Sequence, residues 1–539
     1  MSLEIADAVA PSVPGEPQWI EPFFRPRAGV DPLGQQTLTT DRIIGRLVPG
    51  VVALTERARY YSFYSWLLWR YVDQRRSESP EALSRYIKER EFELAIAVRL
   101  CPRKCGLGPM GGRKVTERFV GGADEYARRE SIDSPYGGYG LYYGTSMNQM
   151  GLTARRGTLL GEEPIAIDIL RPDSHARNLA LGYAEAVKDT RYVRTHIDGA
   201  DPIPRDVLEE YSESACLCRL DSFPVEREAV RRVFFEAVGS QDPNEPERRR
   251  RSFAFFLERA SADRWPSYND DEYRSSIWRA FRSGMDRSPD YQATLSAWAA
   301  LAAANFLHDG VTLLWSDGCR RLRAAEPSGG YGREELALTV SEFAAGDVHL
   351  DSGSVVVRPD DRTSDFLGRL DALLPPEDDL PTMWRAAVTQ RTSLAGLALI
   401  LTVLTRLPNN EPDEAWQSIA GIDGYWQDGL ARLSRKVAAH LGSGPTLGET
   451  ADFLMRRLVL GPHIANAASK LPDFTFLFRG DLGRLQVSHH YDPDFLRPGN
   501  IRAWTLAQLS RDLGYCDLVP GHLQLTADGQ AFVQDAFGT

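Results

Sequence analysis

Apolar residues recur at helical spacing over most of this chain, and the runs break where proline and glycine cluster. Between residues 38 and 100 the pattern predicts three helices. Pro49-Gly50 ends the first, the second runs from Thr55 to Gln74, and the third from Pro80 to Leu100. The second carries Tyr60, Tyr61, Phe63, Tyr64, Trp66, Trp69 and Tyr71 on more than one face, which predicts deep burial. An aromatic platform for stacking bases is the competing reading. Residues 205–440 read as mainly helical, with breaks near 242–246, 328–332, 375–376 and 408–412. Gly346 to Pro359 alternates instead and predicts a hairpin turning near Ser352-Gly353. Ser393 to Leu404 is the most apolar stretch. It falls short of the roughly 18–20 residues that span a bilayer, so it predicts a buried helix. Leu295 to Leu307 reads the same way.

The end of the chain carries the strongest local signal. Asn500 to Leu513 is helical by period, Gly514 stands at its C-cap, and Tyr515–Val519 reads as a strand. Pro520-Gly521 then makes a turn, His522–Leu525 a returning strand, and Thr526 the cap of a last helix, Ala527 to Phe537. Helix, two-stranded wing, helix resembles the second half of a winged-helix domain. Helices at Leu447–Leu460 and Ile464–Leu471 would precede it, although a hairpin-like Phe474–Val487 intervenes and departs from the compact three-helix order. The same succession appears once more. Leu141 to Met150 leads into Gly151, two strand-like runs (TARRGTLL and PIAIDIL) follow, and Ser174 opens a helix. The expected fold is therefore mainly α: a multi-domain helical protein with two winged-helix-like modules carrying small β-hairpins.

If these modules read DNA as that family can, the polar face of the last-but-one helix enters the major groove and a basic wing touches the backbone. The residues so implicated are Arg502, Thr505, Gln508 and Arg511, with Arg155 and Arg156 at the tip of the first wing. Many winged helices contact only protein, and Asp512 and Asp517 weaken the local positive field. Composition presses the same way. The 539 residues hold 63 basic and 74 acidic side chains, a net charge of -11, which argues against sequence-blind nucleic-acid coating. Lysine occurs at only six positions, so arginine supplies nearly all the positive charge, as a GC-rich genome would also produce.

Other constellations are weaker. Six cysteines are too few for a disulfide scaffold. Cys101-x3-Cys105 and Cys216-x-Cys218 lack the usual C-x2-C knuckle and lie more than a hundred residues apart, so buried free thiols are preferred to zinc and no metal or cofactor is expected. His489-His490, with His463 and Asp492, reads as loop histidines rather than ligands. Arg248 to Arg251 would face all sides of a helix and suggest a solvated surface. Glu162, Glu163 and Asp168 have no lysine before Lys188 to complete a carboxylate-lysine nuclease site. The glycine-rich SPYGGYGLYYG, Ser134 to Gly144, shows no nucleotide-loop pattern and reads as a turn-rich connector.

Together these imply an extended arm (1–37), a helical region (38–110), a Gly-rich segment with the first winged-helix-like module (111–204), a central helical domain (205–440) and a C-terminal winged-helix-like domain (441–539). The opening, FFRPRAGVDPLGQQ to YYSFYSW, resembles large uncharacterised bacterial proteins of defence or mobile loci. No signal-peptide pattern opens the chain, so a cytoplasmic location is expected. The functional expectation is a non-enzymatic winged-helix scaffold or adaptor of a bacterial multi-protein assembly, with a role in phage defence, partnered by protein or double-stranded DNA and not by membrane. A hydrolase or nuclease under the 134–144 loop and a ligand-sensing regulator are the alternatives.

Overall fold

Helix is the dominant element because the apolar period demands it, and among the described residues strands occur only as short antiparallel pairs. The computed structural model describes residues 31–35, 37–112, 123–236, 242–265, 268–284, 287–326, 329–407, 414–422, 429–470, 476–481, 483–487, 499–519 and 522–538. Two compact units emerge, each discontinuous in sequence: 39–302 with 411–419 and 500–539, and 1–38 with 303–410 and 420–499. This differs from the linear partition expected above. The stretch 205–440 divides after Ala302, and 441–539 divides after Gly499.

In the first of these units, helix α1 (Arg59–Asp73) is the core. Tyr60, Tyr61, Phe63, Tyr64, Trp66 and Tyr71 are each at most 2% exposed, so the aromatics pack and offer no stacking platform. Helix α2 (Pro80–Arg99) starts on a Ser79 cap, whose hydroxyl accepts from the Ala82 amide at 3.3 Å, with Pro80 pre-set at its first position. Strands β1 (Thr153–Ala154) and β2 (Ile169–Leu170) pair antiparallel, and a further bridge joins Leu159 to Pro164. Helix α3 (Ala176–Val187) follows, then α4 (Arg205–Ala215), α5 (Pro224–Phe235) and α6 (Glu245–Asp263). An ion pair sits wholly inside this core. Arg59 pairs with Glu226 at 2.9 Å, Ser62 donates to the same carboxylate at 2.7 Å, and Arg59 Nη1 donates to the Cys216 carbonyl at 2.6 Å.

The C-terminal elements form as the pattern predicts. Helix α7 (Ala503–Asp512) ends where Gly514 turns left-handed at φ 81°, and the Tyr515 amide reaches back to the Ser510 carbonyl. Strands β3 (Cys516–Val519) and β4 (His522–Leu525) pair with Leu525 opposite Cys516. The Thr526 hydroxyl accepts from the Gly529 amide at 3.0 Å and caps helix α8 (Ala527–Phe537).

In the second unit the helix Ser393–Arg406 is buried along its length to Leu404, capped by Thr392. A Cβ on Gly396 would lie 2.8 Å from the Gly310 carbonyl, so glycine is required where the two helix backbones touch. The hairpin Gly346–Leu350 with Gly353–Val357 turns through Asp351-Ser352, one step before the Ser352-Gly353 expected. The Phe474–Val487 expectation is met by Phe478–Asp481 paired with Arg484–Val487, while 474 and 475 lie outside the described residues. Among the described residues no helix is long and apolar enough to cross a membrane.

Candidate functional site

The face expected to read bases is turned inward. Arg502 (φ 68°) precedes α7, and Arg502, Thr505 and Gln508 are 6%, 2% and 4% exposed. Thr505 Oγ1 donates to the Ala53 carbonyl at 2.9 Å, and Gln508 Oε1 accepts from Arg57 Nη1 at 2.7 Å. Asp512 takes Arg57 Nη2 at 2.5 Å and the Ala58 amide at 3.0 Å. The polar stripe docks on residues 53–58, which corrects its assignment to a DNA groove: three of its four residues have no surface to offer. Arg511 is exposed, as are Arg155 and Arg156. Those two directly follow β1, at the base of the hairpin and not at its tip, because the strands run on to the Leu159–Pro164 bridge. Arg155 donates to Thr145 at 2.6 Å.

The glycine-rich loop encloses a carboxylate of its own chain. Glu91, buried on α2, accepts the Gly138 amide at 3.0 Å, the Tyr139 amide at 2.8 Å and the Ser131 hydroxyl. Tyr136 and Gly137 are both left-handed, φ 57° and 59°, which aims successive N–H groups inward. A Cβ on Gly137 would sit 2.3 Å from Glu91 Oε2. The loop is an anion nest already filled. Burial pushes the Glu91 carboxyl above its usual range against these hydrogen bonds. Nearby, burial drives Glu93 up to about 7 despite the Arg90 and Arg128 charges.

Other predicted groups are also occupied. His463 donates from Nδ1 to the Pro32 carbonyl at 3.0 Å and accepts the Leu477 amide at Nε2, 2.7 Å, so neither nitrogen is free for a metal. His489, His490 and Asp492 lie outside the described residues. Of Arg248 to Arg251 one is not solvated: Arg249 is buried, donating to the Phe234 carbonyl at 2.6 Å and to Pro49. Asp168 accepts the Tyr139 hydroxyl at 3.0 Å and the Arg156 amide at 2.8 Å, while Glu162 and Glu163 are exposed.

The cysteines are where sequence spacing misled. Cys101, Cys105, Cys216 and Cys218 converge, with every sulfur within 4.8 Å of the others. They form the one group of histidine, cysteine and carboxylate side chains among the described residues placed to hold an ion. Cys101 follows the end of α2, and Cys216 caps α4 before a 3-10 turn, Leu217–Ser222, that carries Cys218. Two close cysteine pairs in a chain with only six cysteines were the usable signal.

One surface groove is apolar. Helices α3 and α5 leave about 500 Å³ between Leu181, Gly182, Pro224, Val225 and Ala229, rimmed by His175, Glu185 and Arg232. Leu181 is 43% and Val225 78% exposed. No protein-family model, curated protein or solved structure matches this chain.

Proposed function

We propose that this chain is a non-enzymatic adaptor that takes an apolar segment of a protein partner into the groove between α3 and α5. The exposure of Val225 and Leu181 beside each other carries the reading. Contiguous apolar surface rimmed by charge is a feature of docking sites. The docked α7 face supports it, because Arg502, Thr505 and Gln508 act within the fold. A photo-crosslinking residue placed at Leu181 or Val225 in the source cells tests it. A discrete protein adduct is expected there and not from the exposed control position Leu338. Adducts equal to the control, or none, overturn the proposal.

A second reading, contact with double-stranded DNA, rests on the exposed Arg155, Arg156 and Arg511. A salt titration on a labelled duplex separates the two. Each phosphate contact removed by Arg155→Ala/Arg156→Ala should flatten the log-log salt slope by about 0.9. Absence of binding at low salt ends this reading.

A further inference from the structure

We infer that Cys101, Cys105, Cys216 and Cys218 form a closed, all-thiolate site for a single zinc ion. The distances carry the argument. Cys101 Sγ lies 3.7 Å from Cys218 Sγ, Cys105 Sγ 3.7 Å from Cys216 Sγ, and Cys216 Sγ 3.5 Å from Cys218 Sγ. Four sulfurs at the usual zinc–sulfur bond length around one tetrahedral centre stand about 3.8 Å apart. A disulfide would bring a pair to about 2.05 Å, and all four cysteines are free. An iron–sulfur cluster spreads its cysteines around several iron atoms and so holds them farther apart than a mononuclear centre does.

The backbone is shaped for these ligands. Between Cys101 and Cys105 the chain folds back on itself: the Lys104 amide donates to the Cys101 carbonyl at 2.9 Å, and Lys104 and Gly106 are left-handed at φ 48° and 68°. The extra residue of C-x3-C is absorbed in that turn. The second pair is fixed from behind, where Arg59 Nη1 holds the Cys216 carbonyl at 2.6 Å. Arg103 spans the two segments, reaching Asp221 at 2.8 Å and the Cys218 carbonyl at 3.3 Å. Its cation stands beside a centre whose net charge, one zinc ion with four thiolates, is two negative.

Four soft sulfur ligands select zinc over magnesium, calcium or manganese, which prefer oxygen. With all four positions taken by protein, no coordination site is left for water or substrate, so the ion is structural. On binding, each thiol still protonated releases its proton to solvent as its zinc–sulfur bond forms, and no oxidant or reductant is involved.

The test is metal analysis of the full chain purified without an affinity tag, followed by replacement with cobalt(II). One zinc per chain is expected, together with the sulfur-to-cobalt charge-transfer and visible bands of a tetrahedral thiolate site. Cys105→Ser and Cys218→Ser, at the two half-buried ligands, should each weaken zinc retention at least tenfold against a competing chelator. Cys319→Ser, a buried cysteine outside the cluster, should leave it unchanged. Less than a tenth of an equivalent of zinc with no thiolate–cobalt spectrum, iron with labile sulfide in place of zinc, or full retention in both serine variants would each overturn the assignment. The wild-type cobalt spectrum decides the matter even if a serine variant fails to fold.

Discussion

Single residues show how often a polar group here serves the fold itself. Glu91 is the clearest case, since the nest that would suit a phosphate is filled by a side chain of α2. Replacing it by Gln swaps one acceptor oxygen for an N–H₂ group that faces backbone amides. The expected cost is about 1–3 kcal/mol, read as faster hydrogen exchange at the Gly138 and Tyr139 amides. Unchanged protection there would show that the nest stands without its anion. His463 gives a pH signature. Burial lowers it to about 4, and the Lys470 charge adds to the shift, against the opposing hydrogen bond to the Pro32 carbonyl. The unfolded side chain titrates near 6.5, so its contribution is complete above that pH and is lost as pH falls from 6.5 toward 4. The linkage amounts to about 3 kcal/mol. Thermal denaturation from pH 7 to pH 4.5 should lower the midpoint of the second unit, and His463→Gln should remove most of that slope. A slope identical in the variant would assign the acid sensitivity to other groups.

Elements were legible to the degree that their signals were local. Gly514, the paired strands and the Thr526 cap each depend on residues within a few positions, and each formed where its residues predicted. The orientation of α7 was not legible. Its polar stripe of Thr505 and Gln508 resembles a solvent face, and only the distant Arg57 and Ala53 turn it inward. A polar helix face is ambiguous between water, nucleic acid and a buried hydrogen-bonded interface until its neighbours are known. The consequence is measurable. Arg57→Ala strands the buried Asp512 carboxylate without its cation and should cost about 3–5 kcal/mol, whereas Arg511→Ala on the exposed side should stay within about 0.5 kcal/mol. Denaturant melts of the two variants compare them directly. Equal effects would mean the α7 face is not held as described.

At the scale of the whole molecule, the thiol centre joins points that sequence distance hides, since Cys105 and Cys216 lie 111 residues apart. Spacing rules describe knuckles that close within one short loop. They carry no information about two half-sites brought together by α2 and α4, which is why the pattern argued against a metal that the folded arrangement favours. A link closing a loop of this length is worth roughly 4–5 kcal/mol in chain entropy by the cross-link model. Removing the metal at neutral pH should therefore loosen one unit selectively. Hydrogen exchange after chelation should accelerate near the ends of α2 and α4, around residues 97–107 and 211–222, and leave the Ser393–Arg406 helix of the other unit as slow as before. Cooperative loss of protection in both units would show instead that the centre governs the folding of the entire chain. No change in either would leave the ion without a structural role, because a closed site that stabilises nothing has no remaining function in this geometry.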